Sequence, residues 1–222
     1  MNHRSPLVAA LLLAVSLPAL QACFPVVATG VAVGVLAVTD RRTVGAQTED
    51  EAIEWKASGR ISDRFKDSVH VNVTSYNRKI LLTGEAPSEQ VKAEIGEVVG
   101  KVDNVVTVWN ELQVGPVSSL SARGTDSYTT SKIKARFVDS GQFSANHVKV
   151  VTEGGIAYLL GIVNEREAKA AIQVTRTTSG VRKVVNVLEV VSDAETRRID
   201  AALASQQKPT PPAEAPVENR GR

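Results

Sequence analysis

The chain has 222 residues, with 26 Lys/Arg against 24 Asp/Glu, one cysteine and 4% aromatic residues. So even a charge balance excludes a polyanion binder that works by bulk charge. A single cysteine excludes an internal disulfide and any metal site built on two or more cysteines, so core packing alone must hold the fold.

Residues 1–22 read as a secretory leader. Arg4 gives a basic start, Leu7 to Leu20 is apolar apart from Ser16, and Ala22 is a small residue before the cut. The run Leu20-Gln21-Ala22-Cys23 resembles the lipobox of bacterial lipoproteins, although Gln21 is a less common occupant. That resemblance implies that Cys23 becomes the acylated N-terminus; an ordinary signal with an incidental cysteine is the alternative. Residues 23–45 read as an anchored, small-residue tether. Its apolar part, Phe24 to Thr39, is about 16 residues, short of the roughly 20 a bilayer span needs. A short membrane-inserted segment stays open.

Two copies of one unit follow, in residues 46–115 and 121–193. A shift of 77 residues lays His70-Val71 on His147-Val148, Leu82 on Leu159, Gly84 on Gly161 and Lys92-Ala93 on Lys169-Ala170. In the first copy, Ile53, Ala57 and Ile61 recur at helical spacing and predict a helix over Glu51 to Phe65. Val69, Val71 and Val73 alternate with polar residues and predict a half-buried strand, followed by a turn at Asn77 and a second strand from Lys79 to Thr83. Ser88 can cap a helix running to Gly100, and Val105 to Val114 predicts a third strand. The second copy predicts a helix over Ser127 to Val138, a hairpin turning at Glu153-Gly154-Gly155, a helix from Glu165 capped by Asn164 with Glu167, and a strand over Lys183 to Val191. The order is αββαβ twice, an α+β fold of two small three-stranded mixed sheets, each with two helices on one face. From 194 to 222 the apolar periodicity fades into the proline-rich run Lys208 to Pro216, which predicts a disordered tail.

These units resemble BON domains: Gly84 and Gly161 follow the second strand, the second helix is Ala-rich, and the closing segment runs Gly180-Val181 to Val184, Asn186, Leu188 and Val190. The lipobox, the segment Arg42-Thr43-Val44-Gly45-Ala46-Gln47 and the run Asn164-Glu165-Arg166-Glu167-Ala168-Lys169-Ala170-Ala171 resemble the dual BON-domain outer-membrane lipoproteins of the DolP family. The resemblance covers about residues 1–192.

No catalytic constellation stands out. There is no G-x-S-x-G serine and no paired Cys/His metal spacing, and Gly154-Gly155 precedes a strand, not a helix that could cradle phosphate. His70 and His147 point away from the inward valines and read as solvated. The chain is therefore expected to be non-enzymatic, with no cofactor, no metal and no nucleic-acid partner.

Charge divides the copies. Residues 46–115 hold 8 Lys/Arg against 12 Asp/Glu; residues 121–193 hold 10 against 7, which suits an anionic surface. Tyr128, Lys132 and Arg136 lie at i, i+4, i+8, with Thr129 and Ile133 bordering that stripe. The spacing alone fits an ordinary solvated face as well as a headgroup-facing one. The resemblance implies the second: the family binds anionic phospholipid, phosphatidylglycerol or cardiolipin, through this helix, with an aromatic, usually Trp, where Tyr128 stands. It also implies a periplasm-facing lipoprotein of a Gram-negative outer membrane that supports envelope integrity, with the division site as a candidate location. The other reading is an adapter, anchored only by its acyl chains, whose acidic first copy and proline-rich tail engage outer-membrane assembly proteins.

Overall fold

The computed structural model describes residues 40–206; Cys23, the leader, most of the tether and the tail from 207 lie outside them. Helix α1 spans Val44–Phe65 and buries Asp50, Ile53, Ala57 and Ile61 along one face. It begins well before the expected Glu51, because the Thr43 side chain accepts from Ala46 N and caps it there. Residues 40–45 are thus part of the fold, not of the tether.

Strand β1 (His70–Tyr76) pairs antiparallel with β2 (Lys79–Ala86), with Val71 opposite Gly84. Helix α2 (Glu89–Gly100) starts at Ser88, whose side chain accepts from Val91 N, and crosses over to β3 (Thr107–Asn110) and β4 (Gln113–Val114), both parallel to β2. The expected single third strand breaks at Glu111 and Leu112, where Leu112 enters the core.

The second copy repeats this order: α3 (Leu120–Ser140), β5 (Lys149–Glu153), β6 (Ile156–Leu160), β7 (Ile162–Val163), α4 (Glu165–Arg176), β8 (Lys183–Asn186) and β9 (Glu189–Val190). The Asn164/Glu167 capping box closes in both directions.

Each copy has its own core between helices and sheet. Ile80, Leu82, Ile95 and Val99 join Ile53 and Ile61 in one; Leu159, Ala171 and Val174 join Ile133 and Phe137 in the other. A third core joins the copies. Leu81 and Tyr76 meet Tyr158, Leu160 and Ile162, with Trp109, Val185 and Ile199 at its margin. The helix-free faces of the two sheets therefore pack on one another. The central strands are buried on both faces, as the runs Ile80-Leu81-Leu82 and Tyr158-Leu159-Leu160 require.

A last helix, α5 (Asp193–Gln206), corrects the expectation of disorder from 194. Its periodicity is weak because one apolar side chain, Ile199, suffices to seat it on the third core. Ser192 Oγ accepts from Glu195 N, Thr196 is buried, and Asp200 pairs with Arg41.

Candidate functional site

Helix α3 decides what the second copy shows to its surroundings. Ser119 caps its start by accepting from Ala122 N. Asp126, Thr129, Ile133 and Phe137 are buried, and Phe137 meets the Phe143 ring edge-on at 5.0 Å. Thr129 and Ile133, the two candidates bordering the stripe, thus sit on the core side. Ile133 is fully buried, and Thr129 stands against Gly180, where an added Cβ would lie 2.8 Å from its Oγ1. Neither reaches the surface.

Tyr128, Lys132 and Arg136 separate in role. Tyr128 is 66% exposed. Lys132 Nζ lies 4.9 Å from the Tyr128 ring centre and donates to Ser179 O at 2.5 Å. Arg136 donates to Val174 O at 3.0 Å, Thr178 Oγ1 at 2.7 Å and Thr177 Oγ1 at 3.0 Å. Its charge thus rests on the carbonyl end of α4, where the helix dipole favours a cation. That contact needs the folded position of a second helix and carries no mark in the α3 sequence.

The most outward face of α3 lies beside that stripe. At 100° per residue, Leu120, Gly124, Tyr128, Ser131, Ala135 and Val138 stack opposite the buried positions. None is charged, and Leu120 and Val138 are 79% and 68% exposed. Lys132 and Arg136 border this face on one side and Lys134 on the other, with Asp139 at its C-terminal end. Among the described residues, none of these three cations is in a salt bridge with a carboxylate. The spacing of the six residues was present in the sequence, hidden by three small members that carry little hydrophobic signal. A second basic feature lies across the Thr177–Arg182 loop: a groove of about 490 Å³ between α4 and β8, lined by Arg176, Arg182 and Lys183 over Ile172 and Val184.

The first copy presents a different surface. Trp55 is 82% exposed on α1, beside Gly59 and between Lys56, Arg60 and Asp63. Glu54 is engaged by Ser75 N and Lys149.

Sequence reasoning missed two acids, one in each copy, that do the same job. Asp50 accepts from Asn77 N and Arg78 N, both at 2.7 Å, and Asp126 from Gly154 N and Gly155 N, both at 2.9 Å. Each carboxylate ties a helix to the hairpin turn, whose two central residues have positive φ. Burial alone would push the Asp50 carboxyl up; the hydrogen bonds from Ser75, Arg78, Arg42 and Asn77 outweigh it and hold it below the usual range.

It also missed the cluster around Arg41, which is 5% exposed and bonds Glu167 and Asp200. His147 joins this cluster, its Nδ1 3.7 Å from Glu167 and its side chain only 13% exposed. The expectation that it is solvated fails, because its side chain sits among Arg41, Glu167 and Asp200. Burial, with the Arg41 charge behind it, lowers the His147 pKa despite Glu167 and Asp200. Among the described residues no group of three His, Cys, Asp or Glu could hold a metal ion, and no helix is long and apolar enough to cross a membrane.

The family model of the BON domain matches residues 49–116 and again 125–192. The outer membrane lipoprotein DolP of Haemophilus influenzae is 36% identical over 172 residues, covering 77% of this chain and 89% of that protein. The chain belongs to the BON family, with the dual-domain DolP lipoproteins. A 21 kDa hemolysin of Actinobacillus pleuropneumoniae is 31% identical over 154 residues, 68% of this chain and 79% of that protein. The osmotically-inducible protein Y of Escherichia coli is 29% identical over 150 residues, 66% of this chain and 75% of that protein. The two BON matches fall on the two αββαβ units, and the segment before α1, with Arg41, lies ahead of the first.

Proposed function

We propose that this protein is a non-enzymatic outer-membrane lipoprotein, acylated at Cys23 and facing the periplasm, whose second BON domain rests α3 on anionic phospholipid and so supports envelope integrity. The observation that carries it is the uncharged outward face of α3, about 27 Å long by the helical rise, with exposed Leu120, Tyr128 and Val138 and, beside it, Lys132, Arg136 and Lys134, none of them paired with a carboxylate among the described residues. Apolar side chains enter the headgroup boundary, while cations on either side meet phosphates. Each cation near such a surface contributes on the order of 1 kcal/mol, about five-fold in affinity. Lys132 and Arg136 are already held by backbone and hydroxyl groups, so they meet phosphate from fixed positions.

The test is sedimentation of the unacylated Cys23→Ser chain with vesicles with and without phosphatidylglycerol. Binding is expected only to the anionic vesicles. Lys134→Ala is expected to weaken it about five-fold, and Tyr128→Ala with Val138→Ser further. Equal binding to both vesicles, or no loss in these variants, would refute the lipid reading.

Trp55 favours a second activity on the first domain. A solvent-exposed indole flanked by Lys56, Arg60 and Asp63 suits a protein contact, which keeps the adapter reading for outer-membrane assembly proteins. A photo-crosslinker at position 55 is expected to capture the same partner in wild-type cells and in cells carrying Lys134→Ala, since this surface does not involve α3.

A further inference from the structure

Arg41 uses all five of its N–H donors. Nε and Nη2 donate to the two oxygens of Asp200 at 2.8 and 2.9 Å. Nη1 and Nη2 donate to the two oxygens of Glu167 at 2.6 and 3.1 Å, and Nη1 also donates to Ile162 O at 3.0 Å. Two bidentate carboxylates and one carbonyl thus fill the planar fork. The three partners lie on α4, on α5 and on β7, all outside the first BON domain.

Arg42, the next residue, turns the other way. It donates to Asp50 of α1 at 2.7 Å and stacks on Tyr76 at 4.1 Å from the ring centre. The neighbouring Asp40 accepts from Tyr76 OH at 2.9 Å. On its other side Asp40 lines a groove of about 350 Å³ with Lys134 and Val138 of α3 and with Lys149. The chain therefore enters the described fold beside the C-terminal end of the outward face of α3, although the helix it leads into, α1, belongs to the first domain. Asp40 and Arg42 tie this entry point to the first domain through Tyr76 and Asp50, and Arg41 ties it to the second.

We propose that Arg41, with Glu167 and Asp200, is a positioning clasp that fixes where the Cys23 tether leaves the second BON domain, so that the acyl anchor and the α3 face meet the same phospholipid surface. This rests on the lipid reading above. The tether of residues 24–39 is short, so the second contact forms at a high effective concentration only if the exit point allows both to engage at once; where geometry forbids that, the gain from linkage is lost. The clasp ties that exit point to the domain that carries α3. α5 acts as its bolt: Asp200 supplies one of the two carboxylates.

Acylation consumes the chain's one cysteine, so Ser131→Cys places a single thiol on the outward face of α3. An environment-sensitive fluorophore there is read in the acylated chain reconstituted into phosphatidylglycerol vesicles. The wild-type background is expected to show the blue-shifted signal of a bilayer interface. Arg41→Gln is expected to lower the ratio of inserted to free α3 at least five-fold, and Asp200→Asn, which leaves the Glu167 pair, by less. The unacylated Cys23→Ser chain should bind the same vesicles equally well, within two-fold, with or without Arg41→Gln, because its α3 face is intact. Undiminished insertion in both variants overturns the clasp and leaves the lipid reading standing. Loss of insertion together with equal loss of binding by the unacylated chain overturns positioning in favour of a purely structural role. Absence of any wild-type insertion overturns both readings. If Arg41→Gln loses its helical circular dichroism, Asp200→Asn alone decides.

Discussion

Gly84→Val and Gly161→Val should each cost about 3 kcal/mol or more, a large part of the roughly 5–15 kcal/mol that holds a domain. Gly84 has φ of 113°, and a Cβ there would stand 2.1 Å from His70 O. At Gly161 the added atom would stand 2.2 Å from His147 O. Both obstacles are backbone carbonyls, His70 O at the start of β1 and His147 O just ahead of β5, which cannot swing aside as a flexible side chain would. The hairpin must open or the strands must part. The consequence should cross between domains. Both tryptophans, Trp55 and Trp109, lie in the first domain, and Trp109 packs at the margin of the core that Tyr158 and Leu160 share with Leu81. Urea unfolding followed by tryptophan fluorescence therefore reads the first domain. In Gly161→Val its midpoint should fall, although the substitution lies in the second. An unmoved midpoint would show that the two BON domains unfold independently and that the shared core couples them little.

The coupling explains what the sequence could and could not disclose. Strand alternation at Val69, Val71 and Val73, the triple Ile53-Ala57-Ile61 and the Asn164/Glu167 box are signals within one element, and each found its element. The back-to-back sheets are a contact between surfaces some 77 positions apart. Locally they show only as the doubly apolar runs around Leu81 and Leu159. Helix α5 was missed because its order comes from Arg41, 159 positions upstream, and from a single isoleucine. The candidate site divides in the same way. Tyr128 was readable as exposed from its angle on the helix. The fastening of Arg136 to Thr177 and Thr178 and of Lys132 to Ser179 depends on where α4 ends in space. The three small residues of the outward face, Gly124, Ser131 and Ala135, gave no signal until the buried side of α3 was fixed.

Asp50 and Asp126 test how far two copies of one unit have diverged. Asp126→Ala leaves two turn amides, Gly154 N and Gly155 N, without an acceptor and should cost about 2 kcal/mol. Asp50→Ala should cost more, about 3–5 kcal/mol. It orphans Asn77 N and Arg78 N, the Ser75 hydroxyl, and one face of Arg42, whose guanidinium is largely buried against Tyr76. The excess over Asp126→Ala measures what the first domain has added to a shared turn clamp: a link to the residue next to Arg41. Acid should reveal the same group. The folded Asp50 carboxyl sits below its ordinary value of 3.8, so its contribution is complete above that pH and disappears as the pH falls through the lower, folded value. Glu167 and Asp200, also held low with the Arg41 guanidinium among their partners, act in the same direction. Wild-type stability should therefore fall below about pH 4. Asp50→Asn, less stable at neutral pH, should fall less steeply, because one of the protons taken up on unfolding is no longer exchanged. Parallel acid limbs for the two proteins would mean that the Asp50 carboxylate is not what the hairpin of the first BON domain closes on.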